Sequence, residues 1–307
     1  MISVVLASYN GSKFIKVQLD SILNQTYKAF EIICVDDCSS DDTYKILEEY
    51  KNKYPDIIKV YKNDKNIGSR ATFSKAIEYA NGEYVALSDQ DDWWYPEKLE
   101  ILYNNIKNNP NIAFVYSNAH LVDENLSIIK ENIIKQNNTL INGKNFLNII
   151  IDNSVMGCTM LLNSNFAKKC LPLPFVGLHH DWYFALMAYN YNLEVKFIDI
   201  PLIKYRLHSS NLVNSKKAKG SIITKTKNRI QRLYEEIVNI DFNKIENSLL
   251  LDLLLLKKNY ILALKNKNFF DALNYWFILF KRLEENGVVN KKIKKQALRY
   301  VFYSLLG

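Results

Sequence analysis

The sequence predicts an α/β fold: a mostly parallel sheet flanked by helices and followed by a C-terminal helical extension. Three observations lead there. Short apolar runs alternate with helix-periodic segments from Ile2 to Ser88. Each of the first, second and fourth runs ends in Ser or Asp, where a sheet presents its carboxyl edge. After Asn214 the pattern is helical only, and it turns basic.

Residues 2–7 read as a buried strand, and 12–24 as a helix that turns Phe14, Ile15, Leu19, Ile22 and Leu23 inward. Residues 31–35 form a second strand ended by Asp36-Asp37. Ser39 or Ser40 then caps a helix to about Tyr54, with Ile46, Leu47 and Tyr50 on one face. A third strand covers 57–61, Asn66-Ile67-Gly68 makes a turn, and a helix runs to Ala80. Asn81-Gly82 stops that helix before the fourth strand, 83–88. The βαβαβαβ order implies parallel pairing under a helical cover. Further on, 96–108 reads as a helix, 113–118 as a strand and 123–142 as a polar excursion. Residues 145–152 look helical and 159–162 strand-like. His180-Asp181 opens a helix over 182–191, and 195–198 supplies a further strand. Residues 216–220 suit a flexible join to the tail.

Composition narrows the class. A chain of 307 residues with 48% hydrophobic and 13% aromatic content can build a substantial core, which excludes disorder. It opens directly on a strand-like run, without a basic start and cleavage site, so a cytoplasmic protein is expected. The most apolar run, 249–256, is interrupted by Asp252 and is too short to span a bilayer. Cys34, Cys38, Cys158 and Cys170 lack metal-ligand spacing and fit free thiols in a reducing compartment. The net charge of +8 is uneven: 19 Lys/Arg face 8 Asp/Glu after Asn214, against 21 and 24 before it. A basic aromatic tail suits core packing, a homo-oligomer contact or peripheral contact with an anionic membrane. No nucleic-acid-binding motif accompanies the charge, so nucleic acid is not an expected partner.

Chemistry concentrates in Ser88-Asp89-Gln90-Asp91-Asp92. Three carboxylates in four positions repel one another unless a cation or basic group is close. Asp89 and Asp91 project to one side of an extended segment, an arrangement that suits Mg²⁺ or Mn²⁺ held with substrate phosphates. A capped acidic loop is the alternative. Asp36 and Asp37 can accept hydrogen bonds from a ribose or a base, or can form an Asx turn. Tyr9, in Ser8-Tyr9-Asn10-Gly11, could stack on a nucleobase. Neither GxGxxG nor a P-loop is present, so a pyrophosphate would need metal and basic side chains, with Arg70 and Arg206 as candidates.

Residues 4–10, Val35-Asp36-Asp37-Cys38-Ser39-Ser40-Asp41, Asn66-Ile67-Gly68 and the stretch from Gly82 to Asp92 follow the order found in family 2 glycosyltransferases, which the chain resembles. That resemblance implies a GT-A fold, a nucleotide-sugar donor, a divalent metal (Mn²⁺ or Mg²⁺) and inverting transfer to a saccharide or lipid-linked saccharide. It implies nucleotide-sugar contacts at Ala7, Tyr9, Asp36, Asp37, Arg70, Asp89, Gln90 and Arg206. Asp89 and Asp91 become the DXD motif, with Asp91 the more direct metal ligand. His179-His180-Asp181-Trp182 resembles the segment that carries the family's base, here Asp181. Tyr205-Arg206-Leu207-His208-Ser209-Ser210-Asn211 resembles the YRxHxxN segment of rhamnosyltransferase-like members, in which His208 would approach the metal. Leu207 and Ser209 depart from the common Gln and Gly. Asp92, Trp93, Gly157, His179 and His180 fall on the expected acceptor side.

The expected organisation is therefore a glycosyltransferase domain over 1–214, with donor binding in 1–118 and the acceptor side in 119–214, then a basic helical region over 215–307. The donor is expected to be dTDP-rhamnose or a UDP-sugar, the acceptor a bacterial surface glycan, and the location the cytoplasm or the inner face of the membrane. A non-catalytic nucleotide-sugar-binding subunit and a nucleotide-sugar hydrolase are the alternatives.

Overall fold

The computed structural model describes residues 1–134, 140–144, 147–150, 153–174, 179–208 and 222–287, with 297, 298 and 301. The expected join at 216–220, the 214/215 boundary and residues 209–211 of the YRxHxxN segment lie outside them. The first half alternates as expected: β1 (Ile2–Ser8), α1 (Ile15–Leu23), β2 (Glu31–Asp36), α2 (Thr43–Lys53), β3 (Ile58–Lys62), α3 (Ser69–Tyr79) and β4 (Tyr84–Ser88). These four strands pair in parallel in the order β3-β2-β1-β4. All three crossovers are helices, and the strands β1, β2 and β4 are almost wholly buried, which explains their unbroken apolar runs.

The rest of the sheet adds β5 (Trp93–Trp94), β6 (Ile112–Val122), β7 (Ile128–Lys130), β8 (Met160–Asn163) and β9 (Glu194–Arg206). The order continues from β4 through β8, β6 and β9 to β5, with β7 paired to β6. Strand β8 is antiparallel to both β4 and β6, so the parallel sheet reverses at the strand that carries the acidic run. The helices α4 (Lys98–Ile106), α5 (Ser164–Lys169) and α6 (His180–Asn190) complete the first part, and α7 (Ile222–Val238), α8 (Ser248–Lys265) and α9 (Phe269–Glu285) form the tail.

Several expectations change. The strand expected at 195–198 runs on to Arg206, because the apparent break at Asp199-Ile200-Pro201 is absorbed by register shifts against β6. Only 147–150 of the helix expected at 145–152 is described as helical, a single 3₁₀ turn. The polar excursion contains β7, which folds back antiparallel onto the end of β6. Helix α2 is not capped by Ser39 or Ser40. Asp41 Oδ1 accepts the Thr43 N–H at 3.0 Å instead, while the Ser39 N–H turns back to Asp36 and the Ser40 N–H to Asn10.

Two apolar clusters sandwich the sheet. One contains α1, α2 and α4 side chains with Trp94. The other joins α3, α6 and the opposite sheet face to Ile230, Leu233, Leu250, Leu254, Trp276 and Phe280 of the tail. The tail is thus continuous with the core. Leu255 and Phe277 remain exposed, at 40% and 63%. No helix among the described residues is long and apolar enough to cross a membrane.

Candidate active site

The carboxyl ends of β1, β2 and β4 meet because the three strands are in register: Ser8 lies beside Asp36, and Leu6 beside Ser88. At this edge the chain makes sharp turns, with Asn10 at φ 49° and Cys38 at φ 62°. Asp36 is fully buried and accepts the Ser39 N–H at 2.9 Å and the hydroxyls of Ser8 and Ser39. Those bonds tie β1 to β2, so Asp36 organises the edge instead of facing a ligand. Asp37 has a comparable task. Its Oδ1 accepts the Ile67 N–H and the Asn63 amide, both at 2.9 Å, and its Oδ2 accepts the Gly68 N–H at 2.8 Å. Gly68, at φ 85°, supplies the turn that brings those N–H groups inward. Carboxylate oxygens retain further lone pairs, so Asp37 can still meet a nucleoside.

Tyr9 is half-exposed, with its ring available for stacking. Its backbone is clamped to the acidic run: the Tyr9 N–H donates to Gln90 Oε1 at 2.8 Å, and Gln90 Nε2 donates to the Tyr9 carbonyl at 3.0 Å. Gly11 is required beneath that clamp, since a Cβ there would lie 2.1 Å from Gln90 Oε1. Gln90 is accordingly a strut between β1 and the acidic run, with both amide groups committed to Tyr9. Ala7 lies in β1 beside Val35 of β2 and is partly buried.

The acidic residues separate into two corners. Asp91 Oδ2 meets His208 Nε2 at 2.8 Å, and both side chains are largely buried. Phe14, at the start of α1, packs against the His208 ring at 4.8 Å and under the Arg206 guanidinium at 4.6 Å. It therefore floors this corner and does not simply fill the core. Arg206 holds the run from below: its Nε donates to the Asp91 carbonyl at 2.7 Å, its backbone N–H to Asp92 Oδ1 at 3.2 Å, and its Nη1 to the Glu124 carbonyl. Among the described residues its buried Nη2 has no partner. Arg206 thus braces the run through Nε and Nη1.

In the second corner, ligand atoms of Asp89, Asp92 and Cys158 lie within 4.8 Å of one another. Lys98, fully buried, donates to the Cys158 carbonyl at 2.7 Å and rests over Trp94 at 3.2 Å. Burial pulls the Lys98 ammonium down to about 7, against the pull of Cys158, Asp92 and Asp89. Burial, then Asp91 and Asp181, lifts Asp89 to about 7. Burial with the neighbouring carboxylates also lifts Asp92 and the Cys158 thiol well above their ordinary ranges. Lys98 is a buried cation beside these carboxyls. Asp91 with His208 brings one carboxylate oxygen and one imidazole nitrogen together, a donor pair able to take part in holding a divalent metal.

Asp181 stands in the first turn of α6, half-buried; the charge of His179 acts on it, and its own charge acts on Asp89. Its Oδ1 accepts the Trp182 N–H at 2.6 Å and the Asn153 amide at 3.1 Å. Burial raises its carboxyl above the usual range, and His179 opposes the rise. The N-cap position of α6 is His179, and Asp181 does not serve as the cap. His180 packs on Phe73 at 4.8 Å, and a Cβ on Gly157 would lie 2.1 Å from its Nε2. Burial first, then Arg70, holds the His180 imidazole down at about 4, so it is neutral near pH 7. Gly157 makes room for that ring. Arg70, in the first turn of α3, acts on both histidines. Trp93 stands edge-on to Tyr95 at 5.0 Å, with the Lys204 ammonium 5.2 Å from its ring.

Sequence reading placed Cys158 only among the free thiols and passed over Lys98, Asn153 and Gln18, whose Nε2 donates to Ser88 Oγ at 2.8 Å. Lys98 had one signal: it precedes Leu99 and stands four before Leu102, on the buried face of its helix. Asn153 had none.

Known proteins agree with this architecture. The sequence profile of Glycosyl transferase family 2 matches residues 3–168. The chain is 29% identical over 219 residues to the UDP-Glc:alpha-D-GlcNAc-diphosphoundecaprenol beta-1,3-glucosyltransferase WfgD of Escherichia coli, covering 70% of this chain and 81% of that protein. Among solved structures it is similar to S. aureus TarS 1–349 in complex with UDP-GlcNAc, with TM-score 0.62 and 20% identity over 99% of this chain and 88% of that one. It is also similar to the mannosyltransferase PcManGT of Pyrobaculum calidifontis in complex with GDP-Man and Mn2+, with TM-score 0.57 and 14% identity over 99% and 86%. A parallel four-stranded half, an acidic run at the end of β4 and a family profile spanning both make this chain a family 2 glycosyltransferase of GT-A fold.

Proposed function

We propose that the chain moves a hexose from a UDP-sugar, with inversion, to a hydroxyl of a bacterial surface-glycan precursor, a saccharide carried on a lipid diphosphate. The observation that carries this reading is the nearness of Asp181 to the acidic run through one short segment: the Gly157 N–H serves Asp181, and the next residue, Cys158, has its ligand atom within 4.8 Å of those of Asp89 and Asp92. That nearness supports a single displacement, which needs a base and a diphosphate anchor close together. UDP is preferred over dTDP-rhamnose because WfgD is named for UDP-Glc and TarS is seen with UDP-GlcNAc.

In this mechanism Tyr9 stacks on the base, with Asp37 beside the nucleoside, and Arg70 lies toward the donor. Asp91 and His208 would hold the divalent metal, with Asp89 nearby, and the metal would supply charge neutralisation for the departing diphosphate. The acceptor hydroxyl gives its proton to the Asp181 carboxylate as its oxygen attacks the anomeric carbon from the face opposite the nucleotide. General-base assistance of this kind contributes roughly 10²–10⁴-fold. Asp92 is fully buried and supports the wall, leaving Trp93, His179 and the partly exposed His180 as the acceptor-side contacts.

The test is transfer from UDP-glucose by wild type and Asp181→Asn, with and without a lipid-diphosphate GlcNAc acceptor. Acceptor-dependent UDP release that falls at least about 10²-fold in Asp181→Asn supports the reading. Release at one rate with and without acceptor would make the chain a hydrolase, and UDP binding without any release would make it a binding subunit.

A further inference from the structure

We propose that Asn153 is the positioning residue for the Asp181 carboxylate, and that the C-terminal helices hold its segment in place through Lys257. The inference rests on Asp181 as the base. The Asn153 amide is oriented by its own turn: Oδ1 accepts the Val155 N–H at 3.0 Å, and one Nδ2 proton goes to the Val155 carbonyl, also at 3.0 Å. The second Nδ2 proton is thereby aimed at Asp181 Oδ1, 3.1 Å away. With the Trp182 N–H on the same oxygen, this bond fixes the plane of the carboxylate.

The 3₁₀ turn Leu147–Ile150 is pinned from two directions. Trp182 Nε1, beside the base, donates to the Ile149 carbonyl at 2.7 Å. Lys257 Nζ, from α8, donates to the next carbonyl, Ile150, at 2.6 Å and lies 4.6 Å from the Trp182 ring. Lys257 is only 8% exposed and lines a small cavity with Glu236, Ile150 and Trp182. Simple bracing would be met by the leucines around it, since burying an ammonium is costly unless its hydrogen bonds are used. A buried lysine aimed at a backbone carbonyl holds that carbonyl at a defined place. The tail thus reaches the catalytic carboxylate through two contacts, at Ile150 and at Trp182.

Asn153→Asp keeps the acceptor for the Val155 N–H, loses both Nδ2 donors and adds a like charge beside Asp181, whereas Asn153→Ala loses the same donors without adding charge, so the two together separate positioning from charge. UDP release from UDP-glucose is measured for wild type, Asn153→Asp, Asn153→Ala and Asp181→Asn, alongside thermal stabilisation by UDP with Mn²⁺. Both Asn153 variants are expected to lose turnover by at least about ten-fold while keeping the UDP–Mn²⁺ stabilisation. Wild-type turnover in Asn153→Asp with Asp181→Asn inactive would overturn this inference alone. Wild-type turnover in Asp181→Asn would overturn the base assignment and this inference with it. Parallel loss of UDP–Mn²⁺ stabilisation would show that Asn153 serves the donor pocket or the fold, which also overturns it. On the full chain, Lys257→Met keeps the aliphatic stem, and hydrogen exchange in peptides containing Leu147–Ile150 should quicken about ten-fold with β1 and β2 unchanged. Unchanged exchange there would remove the role of the tail.

Discussion

Replacing Gly11 by alanine tests how the first strand governs the acidic run. The new Cβ would stand 2.1 Å from Gln90 Oε1 and 2.3 Å from its Cδ, far inside contact distance. The neighbour is the end of a flexible side chain, so Gln90 swings out and the fold survives. Two hydrogen bonds are lost, at 2.8 and 3.0 Å, each with a net value of about 1 kcal/mol. The Tyr9 backbone groups are solvent-accessible and can turn to water, which limits the total to about 1–2 kcal/mol. A chain of this size would then melt roughly 2–6 °C lower. Because Gln90→Ala removes the same two bonds and vacates the space, Gly11→Ala should cost nothing further in a Gln90→Ala background. The double-mutant cycle is read by denaturant unfolding and by UDP–Mn²⁺ stabilisation. Additive costs would refute the strut, because they would mean that the two substitutions act independently.

Further expectations follow from the same geometry. Asp181 must be ionised to accept a proton, and burial raises its folded pKa, so activity should fall as pH drops through a value above the ordinary ~3.9 of Asp. An acid limb at or below that ordinary value in the rate–pH profile would contradict this. Lys98→Met leaves the carboxyls of Asp89 and Asp92 without their buried cation and should destabilise the fold by about 3 kcal/mol, with partial recovery on adding Asp92→Asn. Denaturant unfolding showing no loss would remove the charge argument. The tail after Asn214, with its basic excess and the exposed Phe270 and Phe277, should sediment with anionic vesicles at low salt and be released at high salt. Absence of sedimentation at low salt would reject membrane contact.

The first half of the fold was legible because strands buried on both faces spell themselves as apolar runs, and each helix between them carries its own period. Beyond Asp92 local signals weaken. β5 is two residues long, and β9 crosses a proline that looks like a stop, yet tertiary pairing with β6 carries it to Arg206. The same difference marks the site. The motifs made Asp91, His208 and Asp181 legible as candidates. The division of labour among the acids was not, because it depends on Lys98 and Cys158 arriving from a helix and a turn distant in sequence. Asp36 and Gln90 looked like ligand contacts because their positions face the sheet edge. Only the paths of Ser39 and Tyr9 show where their polar atoms go. Asn153 is an ordinary loop residue in sequence and acquires meaning solely from its distance to Asp181.

The central claim, a metal-assisted nucleotide-sugar site anchored on Asp91, is tested most directly by thermal stabilisation of wild type and Asp91→Ala with UDP-glucose, dTDP-rhamnose and GDP-mannose, each with and without Mn²⁺. Stabilisation of wild type by UDP-glucose that requires Mn²⁺ and disappears in Asp91→Ala is the predicted result. Stabilisation independent of Mn²⁺ and equal in the two proteins would contradict it.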